Sequence, residues 1–190
     1  MIEDYLLLSI CWIAYYAIHS LLASGPVKRF LRHFQPYRFI YSLVSAVGIV
    51  GIIYITTAVE QVHIFESSWV NICLGLPLFT LGSYLVFRSF QYLSTGTFLG
   101  FQQESNPPQL ITKGIHSVVR HPIYTGTILI FVGAWLFFPT ISVGTGVIIT
   151  VIYIPLGIYW EEQKLIMDFG ESYRRYKQRT PAIWSKKLLF

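Results

Sequence analysis

Apolar and polar positions in this chain are sorted into long blocks rather than interleaved. Largely apolar stretches occupy residues 5–22, 39–59, 69–87, 123–138 and 141–160. About 20 apolar residues at roughly 1.5 Å rise cross a hydrocarbon core of ~30 Å, so the first three stretches read as transmembrane helices. Pro139 separates the last two, which read as a helical hairpin whose tip just reaches the far surface. A membrane β-barrel would need apolar and polar residues to alternate, and these runs are continuous. The pattern predicts an all-α membrane protein of about five transmembrane helices, the last two forming a hairpin. Beyond them Leu165, Ile166, Phe169, Tyr173 and Tyr176 fall at helical spacing, with Arg174, Arg175 and Lys177 on other faces. That spacing predicts a C-terminal amphipathic segment lying in the headgroups.

Composition agrees with this solvent. The 190 residues are 54% hydrophobic and 12% charged, and the mean hydropathy is +0.54. So little chain lies outside the bilayer that a separate soluble domain of ~100 residues has no room, and 1–190 is read as one membrane domain. Any chemistry has to come from helix ends and short loops. All 14 basic residues fall in the first loop (Lys28, Arg29, Arg32, Arg38), the third loop (Arg88, Lys113, Arg120) or the tail (Lys164, Arg174, Arg175, Lys177, Arg179, Lys186, Lys187). With five spans these segments share one face, and Glu3, Asp4, Glu60 and Glu66 lie on the other. The positive-inside bias then places the N-terminus outside and the C-terminus in the cytoplasm, in the cytoplasmic membrane of a bacterium or the endoplasmic reticulum membrane of a eukaryote. Glu3 and Asp4 stand where a signal peptide would carry its basic region, so the first helix is expected to remain.

The net charge of +5 is accounted for by basic loops beside anionic lipid. No helix-turn-helix, zinc-finger or aromatic RNA-binding pattern points to nucleic acid, and no obligate protein partner is evident. Cys11 and Cys73 sit within apolar spans, far from a CxxC spacing, and read as small core residues rather than metal or redox groups. Asn106-Pro107-Pro108 marks a loop.

Candidate chemistry is concentrated in two segments. The first runs from Lys113 and Gly114 through Arg120-His121-Pro122-Ile123-Tyr124-Thr125-Gly126, at the entrance of the fourth span. The second is Trp160-Glu161-Glu162-Gln163, at the exit of the fifth. An antiparallel hairpin brings the two together into one composite pocket. Arg120 and His121 are equally compatible with interfacial anchoring, Pro122 with an ordinary first helical residue, and the glutamates with a solvated helix end. Two carboxylates on a helix C-terminus are nonetheless unusual, because about half a negative charge already resides there. They point to a cationic ligand group.

At these residues a resemblance becomes specific. Arg-His-Pro-x-Tyr-x-Gly at 120–126, the pair Glu161-Glu162, and Phe169-Gly170-x-x-Tyr173-x-x-Tyr176-x-x-Arg179-x-Pro181 resemble the superfamily of isoprenylcysteine carboxyl methyltransferases and phospholipid N-methyltransferases. The likeness covers roughly residues 110–184. It implies an integral membrane methyltransferase that takes S-adenosylmethionine from the cytoplasm and a small or lipophilic acceptor through the bilayer. It implies further that Gly114, His121, Pro122, Tyr124 and Gly126 line the cofactor site. Arg120 would then meet the methionine carboxylate, and Glu161 and Glu162 the amino group, ribose or sulfonium. Gly126 would admit close approach by backbone or cofactor. His116, Ser117 and Gly157 stand where relatives often carry, respectively, an aromatic, an Arg and, in some carboxyl-methylating members, an Arg. These departures weaken the expectation of a prenylated-cysteine carboxylate acceptor. Near the N-terminus, His19-Ser20-Leu21-Leu22-Ala23-Ser24 with Val27-Lys28-Arg29 is similar to the methanethiol S-methyltransferases and the NnrU-like membrane proteins. There His19 reads either as a local polar partner or as part of an acceptor site.

Methyl transfer from a sulfonium needs no metal, since alignment of nucleophile and methyl at ~3–3.5 Å supplies most of the gain. A thiol or amine acceptor has to lose a proton, for which Glu162 or His121 is the nearest candidate; with Arg120 they form the expected catalytic set. The alternatives are an NADPH-dependent reductase related to the sterol reductases and a non-catalytic NnrU-like bundle.

Overall fold

The computed structural model describes residues 2–31, 37–92, 109–185 and 188. In chain order the helices are α1 (Ile2–Ala23), α2 (Gly25–Phe30), α3 (Tyr37–Ala58), α4 (Trp69–Tyr92), α5 (Pro122–Phe137), α6 (Ile141–Phe169) and α7 (Glu171–Arg179), with a 3₁₀ turn at Gly114–Ser117 before α5. The protein is all-α. Four of these helices, α1, α3, α4 and α6, are long and apolar enough to cross a membrane. The 16 residues of α5 reach only ~24 Å at roughly 1.5 Å each, so four helices have the length of a span and α5, the fourth apolar stretch, is shorter than the core it is expected to cross. The loop residues Asn106, Pro107 and Pro108 lie outside the described residues.

The hairpin of α5 and α6 is present, turned by Phe138-Pro139-Thr140. Its tip is tied to the loop after α3: the Ile64 amide donates to the Pro139 carbonyl at 2.8 Å and the Ile141 amide to Val62 at 2.9 Å. Gln61 Oε1 accepts from the Thr140 and Ser142 hydroxyls at 3.0 and 2.7 Å. The Tyr5 hydroxyl donates to the Glu60 carbonyl at 2.7 Å, which brings the start of α1 to the same end. The other end of the bundle gathers the exit of α1, α2, the entrances of α3 and α5, and α7.

The central helix is α6, which packs on α1, α3, α5 and α7. Around it Leu8, Trp12 and Ile52 form a core cluster, with the Trp12 ring lying directly over Gly146. The outer faces are apolar: Ile13, Val47, Val50, Leu74 and Ile152 are among many large exposed side chains, as lipid-facing surfaces should be. The most extensive helix pair is α4 against α5. There a Cβ on Gly82 would meet the Gly126 carbonyl at 2.6 Å, and one on Gly75 would meet that of Gly133 at 2.9 Å. Two glycines seven residues apart on each antiparallel helix let the backbones touch, the usual device where lipid removes any hydrophobic drive to associate.

Two expectations need correction. The helix carrying Glu161 and Glu162 does not end near Trp160; α6 runs 29 residues to Phe169. The glutamates therefore lie about two turns inside it, and the argument from a helix C-terminus loses its footing. The amphipathic segment is not one helix from Leu165 either. Gly170, at φ +54°, breaks it, so Leu165 and Phe169 belong to α6 and Tyr173 and Tyr176 to α7.

Candidate active site

Pro122 opens α5 at its first position, where a missing N–H costs nothing. Immediately before it Arg120 and His121 are held by the C-terminal tail. Their amides donate to the Pro181 and Ala182 carbonyls, both at 2.9 Å, and the Thr125 hydroxyl donates to Ile183 at 2.8 Å. The tail thus forms a strap across the entrance of α5.

Glu162 is buried beneath that strap. Its Oε1 accepts from Arg120 Nε at 3.0 Å, Arg120 Nη2 at 2.5 Å and His121 Nε2 at 3.3 Å. Its Oε2 accepts from Lys177 Nζ at 2.5 Å. The side chains of Arg120 and Glu162 are each only 7% exposed, so the pair is paid for by dense mutual hydrogen bonding. The remaining Arg120 nitrogen, Nη1, donates to the carbonyls of Lys177, at 3.1 Å, and Thr180. All three guanidinium nitrogens are engaged within the protein. Tyr173, fully buried, packs beside the pair. Tyr176 donates to the His116 carbonyl at 2.5 Å, and burial pushes its phenol up to about 12, which keeps it a donor. Burial pushes the His116 imidazole down, favouring its neutral form.

Glu161 is in a different position. Its side chain is 45% exposed, with His121 Nδ1 at 3.6 Å, and the Tyr124 hydroxyl borders it. The His121 and Tyr124 rings stand 5.7 Å apart. One turn before Glu161, Gly157 admits close packing: a Cβ there would sit 3.2 Å from the Tyr124 hydroxyl, tighter than an ordinary contact, and 3.6 Å from the Tyr153 ring. A solvent-reachable carboxylate beside aromatic rings fits a ligand with a positive centre and an apolar body.

The structure therefore brings together Arg120, His121, Pro122, Tyr124, Glu161 and Glu162. It does not bring Gly126 to this group, because that residue's open face is filled by α4, where a Cβ would meet the Gly82 carbonyl at 2.6 Å and Val86 Cγ2 at 2.7 Å. The close approach it permits is of backbone. Gly114 is exposed at φ +61°, a conformation that favours glycine, and it starts the 3₁₀ turn leading to Arg120. Among residues not anticipated, Lys177 is the principal one. Nothing in its local sequence marks it, since its reach to Glu162 depends on the bend at Gly170. Among the described residues no three His, Cys, Asp or Glu side chains are arranged so that they could hold a metal ion.

The phospholipid methyltransferase family model matches residues 70–172, a span that includes α4, both glutamates and the Arg120–Gly126 segment. Methanethiol S-methyltransferase 1 of Bradyrhizobium diazoefficiens is 37% identical over 112 residues, covering 54% of this chain and 38% of that protein. The methanethiol S-methyltransferase of Crocosphaera subtropica is 31% identical over 116 residues, 56% of this chain and 44% of its own. That of Pseudomonas deceptionensis is 29% identical over 187 residues, 91% of this chain and 70% of the relative. The chain thus aligns with less than half the length of the first two. No solved structure matches the chain.

Proposed function

The chain belongs to the phospholipid methyltransferase family, whose model encloses both halves of the site, and from that premise we propose that it is an S-adenosylmethionine-dependent methyltransferase acting on a small or lipophilic thiol. The methanethiol S-methyltransferases among its relatives support the thiol. S-Adenosylmethionine would supply an activated methyl group: the bond from acceptor sulfur to methyl carbon would form as the methyl–sulfonium bond breaks, the donor leaving as a neutral thioether and the thiol proton passing to solvent.

The protein's own residues divide the work. Glu161, half exposed beside His121 and Tyr124, provides negative charge and aromatic faces for the cationic centre. Pro122 and the Tyr124 ring packed against Gly157 form the wall beside it. Glu162 acts as a positioning residue: by neutralising Arg120 and Lys177 it locks the entrance of α5 and the tail strap beside that face. His121, between the two carboxylates, couples the brace to the binding face.

The observation that carries this reading is the accessible Glu161 carboxylate beside the His121 and Tyr124 rings, within the matched segment. Titration of the detergent-purified protein with S-adenosylmethionine and with NADPH tests it. Glu161→Gln deletes a charge-assisted contact of ~1.5–3 kcal/mol, so affinity for S-adenosylmethionine should fall about 10- to 150-fold. Binding of NADPH instead, or unchanged affinity in Glu161→Gln, would overturn the assignment.

A further inference from the structure

A cleft of about 340 Å³ lies between α1 and α3, lined by none of the residues of the proposed cofactor site. Its volume is at the small end of the ~300–1,000 Å³ usual for ligand sites. Cys11, Tyr15 and His19 line it from α1, and Ser45, Gly48 and Gly51 from α3, with aliphatic residues between; no Lys, Arg, Asp or Glu lines it. Both helices are long and apolar enough to span a membrane, so the walls lie at bilayer depth. At one end the lining turns polar. His19 Nδ1 is 3.1 Å from Ser45 Oγ and its Nε2 is 3.2 Å from the Tyr41 hydroxyl, while the Tyr15 hydroxyl donates to the Ser45 carbonyl at 3.4 Å. An ionisable ring within a membrane helix is costly and marks a functional position.

That polar end is connected to the active site. Ser20, the residue after His19, has its Oγ 2.7 Å from the Tyr153 hydroxyl. Tyr153 and Tyr124 both pack beside Gly157, and Tyr124 borders Glu161. A contiguous row of hydroxyls and rings, Ser20–Tyr153–Tyr124, thus links the polar end of the cleft to the Glu161 face of α5 and α6.

We propose that this cleft is the seat of the methyl acceptor, an uncharged lipophilic thiol that enters from the bilayer and is held with its sulfhydryl toward the His19–Ser45–Tyr41 cluster. Apolar walls without a countercharge exclude a carboxylate or an ammonium, whose burial unpaired is strongly unfavourable. A neutral thiol loses little by leaving lipid for such walls, and its weak S–H donor and acceptor find matching partners at the polar end. The ligand's fate rests on the methyl-transfer reading, but its binding does not.

Gly51 supplies a probe, because it lines the cleft and a Cβ there meets nothing within 4 Å, so Gly51→Leu adds bulk into open space. In nanodiscs, an alkyl-diazirine thioether should crosslink to α1 and α3 peptides, saturably competed by dibutyl sulfide, and Gly51→Leu should abolish the competed fraction. With turnover followed, Gly51→Leu and His19→Ala should raise the KM for butanethiol tenfold or more, leave the affinity for S-adenosylmethionine within twofold, and retain parental helical content. His19→Gln should restore part of the loss. Saturable crosslinking in a protein that methylates nothing would uphold the cleft and sink the methyltransferase reading. Turnover of thiols with no competed crosslinking and a parental KM in both variants would do the reverse.

Discussion

Glu161 and Glu162 are adjacent in the chain but differ in what surrounds them. Glu162 is buried under Arg120, His121 and Lys177, whereas Glu161 is half exposed with the His121 ring nitrogen at 3.6 Å. Glu162→Gln preserves shape and leaves the nearly buried Arg120 guanidinium without its counter-ion. Breaking one partner of a buried pair costs ~3–5 kcal/mol, and the residual hydrogen bonding of Gln should hold the loss toward the lower figure. Thermal unfolding should therefore shift downward for Glu162→Gln and hardly at all for Glu161→Gln. Combining Glu162→Gln with Arg120→Met should destabilise by clearly less than the sum of the single changes, since contacting residues couple by ~0.5–3 kcal/mol. Strict additivity would show that the pair does not act as a brace. Lys177→Met should lose less, because its side chain is 45% exposed and solvent weakens the attraction.

Between elements, the contact of α4 with α5 is the most sharply defined. A Cβ on Gly126 would lie 2.6 Å from the Gly82 carbonyl, and one on Gly133 would lie 2.8 Å from the Phe79 amide nitrogen. These neighbours are backbone and cannot swing aside. Gly126→Ala and Gly133→Ala should each force the helices apart at a cost of ~1–3 kcal/mol, read as a lower unfolding temperature in detergent, whereas Gly51→Ala, with open space around it, should be neutral or stabilising. The seven-residue spacing of Gly75 and Gly82, and of Gly126 and Gly133, is visible in the sequence, but which helix they approach depends on the fold. The same distinction separates the other legible and illegible features. Apolar length exposed the spans, and Pro139 the hairpin. The true end of α6 was hidden because hydrophobicity stops at Trp160 while Glu161, Gln163, Lys164 and Leu165 continue the helix as good formers until Gly170 turns it. Arg120, His121 and the glutamates were recognisable as a site. Their division into a brace and an open face was not, because it depends on Lys177 and the tail carbonyls arriving from α7.

At the scale of the whole molecule, charge and contact agree on two distinct ends. The start of α1, the loop after α3 and the α5–α6 tip are tied together by Tyr5, Gln61 and the Ile64–Pro139 bond. That end carries Glu60 and Glu66. The opposite end carries Arg88 at the exit of α4, Lys113 and Arg120 before α5, and the basic residues of α7. Basic loops are retained on the cytoplasmic side, so the ion-paired site should face the cytoplasm, where a water-soluble methyl donor is available, while the α1–α3 cleft opens to lipid. Single cysteines in a background lacking Cys11 and Cys73 test this arrangement. Phe30, 85% exposed on α2, and the exposed Arg175 on α7 are suitable sites for the basic end, and the exposed Glu66 for the acidic one. A membrane-impermeant maleimide applied to inside-out vesicles should modify Phe30→Cys and Arg175→Cys and spare Glu66→Cys; right-side-out vesicles should give the opposite pattern. Labelling of positions 30 and 66 from the same side would contradict the two-ended architecture itself. A clean inversion of both patterns would keep the architecture and place the site on the outer face, where the proposed donor would be out of reach.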